Sequence, residues 1–253
     1  LPDFASRFQA EGYTVLIYDN RCWGTSEGLP RNHVDPQLQT RDYLDAFDFA
    51  STLPDVDPVR IIFWGSSMSG GNAICAAALE KRVRAVIAQV PFVSGELASG
   101  EFASLMPMFL EERGAVRRGA APTLVPIIPE SMEEALSGAS KAILKEPATI
   151  IFDQEMARRQ YTREKFVTLQ SSLALVLHEP RAVIHRVAPA AILMVVAEND
   201  ITIPTPGQLA MYEQASEPKT LHVVKNTGHF DLYYGPAFEE NIKVQLGFLE
   251  TIV

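Results

Sequence analysis

Apolar residues recur along this chain in two periods. Short runs that are apolar throughout predict buried strands, and apolar positions three and four apart predict helices. The predicted strands are Thr14–Tyr18 (TVLIY), Arg60–Trp64 (RIIFW), Val83–Val90 (VRAVIAQV), Ala191–Val196 (AILMVV) and Leu221–Val224 (LHVV). A helix is predicted over Leu1–Glu11 and stops at Gly12. Another spans Leu38–Leu53, with Tyr43, Leu44, Phe47 and Ala50 on one face. A helix of small residues follows Gly71, and further helices fall at about 206–216 and 236–252. The turn formers of Asn20–Asp35 predict a loop.

Strands that are apolar throughout and alternate with helices specify a parallel sheet covered on both faces. The alternation stops between residues 97 and 185. That stretch reads as helical around 101–112, 131–144 and 150–177, without a strand. The expected organisation is therefore a core of residues 1–96 and 186–253 and a helical cap, 97–185, inserted into it.

Chemistry concentrates where strands end. Arg60–Trp64 runs into Gly65-Ser66-Ser67-Met68-Ser69-Gly70-Gly71 and then directly into a helix. A sharp strand–turn–helix of this kind presents a strained nucleophile and needs small residues two before and two after it. Ser67 satisfies this with Gly65 and Ser69, in a G-x-S-x-S version of the motif. Ser66 would need small residues where Trp64 and Met68 stand. Ser69 has small flanks, but it lies past the turn, inside the helix. The order nucleophile, acid, histidine then looks for an acid after a later strand. Asp200 follows Ala191–Val196 in the turn AENDITIP, with Glu198 as the alternative nearer the strand. His229 follows Leu221–Val224 in KNTGHFD and is the expected general base. The remaining histidines, His33, His178, His185 and His222, read as ordinary solvated side chains.

Composition narrows the partners. The chain has 253 residues, enough for a sizeable core, and a net charge of −9, which repels phosphate backbones and argues against nucleic acid. No apolar stretch reaches the ~18 residues of a membrane helix, and no signal peptide is visible. Neither a metal-binding spacing nor a cofactor motif is present, so no cofactor is expected. Cys75 falls in an apolar helical run and reads as core; Cys22 falls in a loop, where exposure is expected. Two cysteines form no disulfide framework, which suits a cytoplasmic setting. The oligomeric state is left open, a homodimer included.

The segments YDNRCWGTSEG (Tyr18–Gly28), FWGSSMSGGNA (Phe63–Ala73), VVAENDITIP (Val195–Pro204) and NTGHFDLYYG (Asn226–Gly235) resemble the α/β-hydrolase superfamily. They look most like the fungal polyketide transferase family and its dienelactone-hydrolase-like and Xaa-Pro-peptidase-like relatives. The resemblance covers nearly the whole chain and is weakest in the cap. It implies acyl transfer on a small-molecule ester or thioester, often in secondary metabolism or toxin biosynthesis. It also implies a triad of Ser67, Asp200 and His229, with the backbone N–H of Met68 as one oxyanion donor. The family has a further strand, ending in a His-Gly-type loop that supplies the second donor, ahead of the helix that begins here at Leu1. That strand normally lies between the ones matching Thr14–Tyr18 and Arg60–Trp64. A complete chain is then expected to have a disturbed sheet and weak activity, since one donor is worth ~10²–10³ in rate, whereas in a fragment the missing strand is expected upstream of Leu1.

Apolar residues of the cap, Phe102, Met106 and Phe109 foremost, are candidates to line an acyl pocket. A serine peptidase of the Xaa-Pro type is the alternative enzyme, although no paired-Glu motif marks a peptide amino terminus. A ligand-binding protein without catalysis is the alternative of another class, because fold alone does not fix function.

Overall fold

The computed structural model describes residues 1–97, 103–162 and 164–252. They form two compact units: Leu1–Tyr18, Pro36–Ser94 and His178–Val253 in the first, Asp19–Asp35 and Gly95–Leu177 in the second. The strands are β1 (Ile62–Ser66), β2 (Ala85–Gln89), β3 (Leu124–Pro126), β4 (Phe166–Thr168), β5 (Ala191–Ala197) and β6 (Lys219–Val224).

In the first unit, β1, β2, β5 and β6 pair in that order as a parallel sheet, with Phe63 beside Val86, Val86 beside Ile192 and Met194 beside Leu221. Successive side chains of a strand face opposite sides, and the two faces can be followed residue by residue. Phe63, Val86, Ala88, Ile192, Met194 and Val196 enter a core with Tyr43, Phe47, Ile74 and Met211. These last residues come from the helices Pro36–Ala50, Met68–Leu79 and Thr205–Gln214. Ile87, Leu193, Val195 and Ala197 enter the opposite core with Phe4, Phe8, Phe238, Ile242 and Leu249. Those come from helices Pro2–Ala10 and Gly235–Ile252. Burial on both sides is why β5 reads as a continuous apolar run. Each fully buried Leu or Val on it contributes roughly 1.5–3 kcal/mol.

Thr14–Tyr18 is not a strand, contrary to its composition. β1 is the edge of the sheet and pairs with β2 alone among the described residues, so nothing supplies Thr14–Tyr18 with a hydrogen-bonding ladder. Val15, Leu16 and Ile17 stay exposed, and the Tyr18 ring meets Tyr43 edge-on at 6.2 Å. An apolar run specifies a strand only where a neighbouring strand accepts its backbone groups.

The second unit corrects the expectation of a strand-free insertion. β3 and β4 form an antiparallel ribbon with Val125 opposite Val167. The helix expected over 150–177 is two helices, Pro147–Arg158 and Gln170–Val176, separated by Gln160 at φ +62° and by the β-prone Phe166-Val167-Thr168. The helix expected over 131–144 ends at Ser137, because Gly138 turns left-handed at φ +69°. Of the helix expected around 101–112, residues 101 and 102 lie outside the described residues; Ala103–Leu105 is a 3-10 turn and the helix runs over Met106–Arg117.

The loop Asp19–Asp35 is stitched into this unit. Thr168 N–H donates to Asn32 O (2.9 Å), Val34 N–H donates to Ser171 Oγ (2.8 Å), and His33 Nδ1 lies 2.8 Å from Thr168 Oγ1. Cys22, expected to be exposed, is a buried residue of this loop.

Candidate active site

β1 ends in Ser66, and the helix Met68–Leu79 begins one residue later. Ser67 between them holds φ +57° and ψ −123°, a conformation that favours glycine. A non-glycine residue there is strained, and the surroundings must hold it. Three backbone bonds and one side chain do so. Ser67 N–H donates to Gln89 O (2.9 Å), Phe92 N–H donates to Ser67 O (2.9 Å), and Gly70 N–H donates to the same carbonyl (3.0 Å). Tyr43 hydroxyl donates to Trp64 O (2.8 Å) and reaches Ser69 O (3.3 Å), bracing the turn from both ends. The need for glycine two residues before Ser67 is steric. A Cβ on Gly65 would fall into the Ser69 carbonyl, 2.5 Å from its carbon.

Asp200 follows β5, and His229 follows β6. The loops after these neighbouring strands are joined by Glu198 N–H to Val224 O (3.0 Å) and Asn199 N–H to Thr227 O (2.8 Å). This places His229 Nδ1 2.7 Å from Asp200 Oδ2 and His229 Nε2 3.0 Å from Ser67 Oγ. Both partners are almost fully buried: His229 and Asp200 are each 4% exposed. Asp200 also accepts from Ile203 N–H at Oδ1 (2.9 Å) and from Gln208 Nε2 at Oδ2 (2.9 Å). A carboxylate offers only acceptors, so Nδ1 carries the proton and Nε2 is left to accept the Ser67 hydroxyl.

Ser67, His229 and Asp200, all picked out from sequence, are thus brought together. Glu198, the alternative acid, turns away; it pairs with Lys225 Nζ (2.9 Å) and accepts from Asn226 N–H (2.8 Å). The Lys225 ammonium holds its carboxyl below the usual range. Ser66 points to the opposite side from Ser67, onto Tyr233 and Gln89. Ser69 lies within the helix, and Met68 is its first residue. The Met68 N–H therefore belongs to the first turn of that helix, whose N–H groups have no partner within the helix.

Of the candidate pocket residues, Phe102 lies outside the described residues. Met106 is half-buried at the head of Met106–Arg117, and Phe109 is buried in the same helix. Two histidines differ from their solvated expectation. His178 is buried and stacks on Phe92 at 5.5 Å, and His33 is half-buried against Thr168.

Sequence reasoning missed Gln208, which donates to Asp200, and the buried amides Gln89, Asn241 and Gln245. Gln89 did carry a signal, as a polar residue inside an otherwise apolar strand. Tyr233 was missed as well. Burial pushes its phenol up to about 12, and the charge of Asp200 adds to the shift.

Known proteins are similar to this chain over most of their length. The family model described as "Alpha/beta hydrolase family" matches residues 2–240. A thiohydrolase of Eupenicillium brefeldianum is 32% identical over 98% of this chain and 80% of its own length. The polyketide transferase af380 of Aspergillus fumigatus is 30% identical over 98% of this chain and 83% of its own length. The crystal structure of the alpha/beta hydrolase GrgF from Penicillium sp. sh18 superposes with a TM-score of 0.86 at 29% identity, covering 99% of this chain and 84% of that one. The chain belongs to the alpha/beta hydrolase family.

Proposed function

We propose that this protein is a serine-dependent acyl hydrolase or acyltransferase acting on an ester or thioester, with Ser67, His229 and Asp200 as its triad. The observation that carries the reading is the continuous contact from Ser67 Oγ through the imidazole to Asp200, at 3.0 and 2.7 Å. The names of the relatives, thiohydrolase and polyketide transferase, support a thioester and a polyketide-type acyl chain of secondary-metabolite or toxin biosynthesis.

Ser67 Oγ attacks the carbonyl carbon while His229 Nε2 takes its proton. Asp200 keeps the ring oriented and stabilises the imidazolium. The Met68 N–H donates to the oxyanion of the tetrahedral intermediate. Collapse breaks the bond to the leaving thiolate or alkoxide, which takes the proton from His229 and leaves an acyl-Ser67 ester. Water or an acceptor alcohol or amine then gives its proton to His229, attacks this ester and frees Ser67. No helix among the described residues is long and apolar enough to cross a membrane. A cytoplasmic location is part of the proposal, since it keeps Cys22 and Cys75 reduced.

A fluorophosphonate probe tests the reading. Wild type should be labelled at Ser67, and Ser67→Ala should not. Turnover of an acyl thioester, an acyl ester and a peptide amide then separates the enzyme classes. A folded wild type that neither labels nor turns over any of them would refute the proposal.

A further inference from the structure

A run of buried amides lies directly beneath Ser67. Gln89, Asn241 and Gln245 are each 0% exposed. The direction of their hydrogen bonds follows from one group. The Trp64 indole N–H can only donate, so Gln245 Oε1 is its acceptor (2.7 Å). Gln245 Nε2 must then donate, to Asn241 Oδ1 (2.7 Å) and Gln89 Oε1 (3.0 Å). Asn241 Nδ2 also donates to Gln89 Oε1 (2.6 Å) and approaches Leu232 O (3.4 Å). With its oxygen taken twice, Gln89 turns Nε2 outward to Ser66 Oγ (2.9 Å), which also lies 2.5 Å from the Tyr233 hydroxyl.

The chain of bonds therefore has a fixed polarity, and both its ends have meaning. One end grips Ser66, the residue before the strained Ser67, whose own N–H is held by the backbone oxygen of the same Gln89 (2.9 Å). The Asn241 end approaches Leu232 O, three residues after His229, and Ser66 Oγ itself meets the hydroxyl of Tyr233, four residues after His229. Filling this space with apolar side chains would avoid the desolvation of three amides. Their presence needs another reason, and the geometry supplies one.

We propose that Gln89 is a positioning residue that fixes the Ser67 turn to the segment following His229; this rests on the reading of Ser67 as nucleophile. Through Ser66 and its own carbonyl it sets where Oγ stands, and through Asn241 to Leu232 and Ser66 to Tyr233 it sets where the imidazole stands. Gln89 touches neither reacting atom, so its loss acts on the rate of the covalent step and leaves substrate affinity alone.

The test compares wild type, Ser67→Ala, Ser66→Ala, Gln89→Leu and the Ser66→Ala/Gln89→Leu double variant. Steady-state kinetics on an acyl thioester and the rate of fluorophosphonate labelling are read alongside thermal melting. Misplacement of a reacting group by about 1 Å costs about 100-fold. Gln89→Leu should therefore lose about 10–100-fold in kcat with KM within about twofold, and Ser66→Ala about tenfold. Residues of one network are not additive, so the double variant should be little slower than Gln89→Leu. A folded Ser66→Ala and Gln89→Leu with wild-type kcat would overturn the proposal, and should Gln89→Leu not fold, Ser66→Ala decides alone. Wild type that labels while Ser67→Ala does not, with an unchanged Ser66→Ala, removes the positioning role only. Wild type that never labels removes the nucleophile reading and this inference with it.

Discussion

Gly65→Ala adds one methyl group where the backbone on the far side of the turn approaches closest to it. The new Cβ would stand 2.5 Å from the Ser69 carbonyl carbon and 2.8 Å from Gly70 N, both backbone atoms. Carbon atoms prefer about 3.5–4.0 Å, so the turn must open by roughly 1 Å. The cost has two parts. Overpacking of this kind removes about 1–3 kcal/mol of stability. For a chain of this size, that lowers the melting temperature by roughly 2–12 °C. Opening also moves Ser67 away from His229 Nε2, now 3.0 Å distant, and pulls Ser69 O away from Tyr43. A displacement of that size is expected to slow acylation about 100-fold. Calorimetry and the fluorophosphonate labelling rate measure the two parts separately. Gly247→Ala is the internal control. Nothing lies within 4 Å of its added Cβ, and it sits in the helix Gly235–Ile252, where alanine gains about 1 kcal/mol over glycine. Should Gly65→Ala match wild type in both melting and labelling, the close approach is not what demands glycine there, and the steric argument fails.

Asp200→Asn should lower kcat by about 10⁴, because an amide no longer fixes the imidazole tautomer; a steady-state assay showing less than a tenfold loss would count against the triad. Leu193→Ala opens a hole in a strand buried on both faces, and a loss of about 2–5 kcal/mol is expected in urea unfolding, with the fold retained. Burial, with the Glu179 charge adding to it, pushes the Cys75 thiol up to about 12. The folded state therefore favours the neutral thiol. Peptide mapping at pH 8–9 should show Cys75 alkylated slowly in native protein and rapidly in urea. Its contribution to stability is whole below the unfolded thiol's ordinary value, about 8.5, and declines as pH rises from there toward 12.

Much of the fold was legible because burial on two faces leaves a plain trace. Ala191–Val196 and Val83–Val90 differ from the observed β5 and β2 only at their ends. Ser67 was legible because sterics exclude Ser66 and position excludes Ser69, and His229 because it follows the next strand after the one that ends before Asp200. Asp200 was preferred to Glu198 on its distance from the strand end, and the fold adds the reason, since Lys225 captures Glu198. The second unit was hard to read for another reason. Its strands are three residues each, too short for any period to show, and its helices end on local conformations at Gly138 and Gln160. Thr14–Tyr18 failed most instructively. Its composition is that of a strand, yet pairing belongs to two segments, and one segment alone cannot reveal it.

The backbone angles of Ser67 have a consequence for how sequences of this kind drift. At φ +57° and ψ −123°, glycine is the residue the backbone itself prefers. Ser67→Gly should therefore raise the melting temperature while abolishing acyl transfer. At most sites a random change threatens folding first; here the change that helps folding ends the chemistry. On the proposed reading, a chain released from catalysis would thus have a downhill route out of it at this one codon.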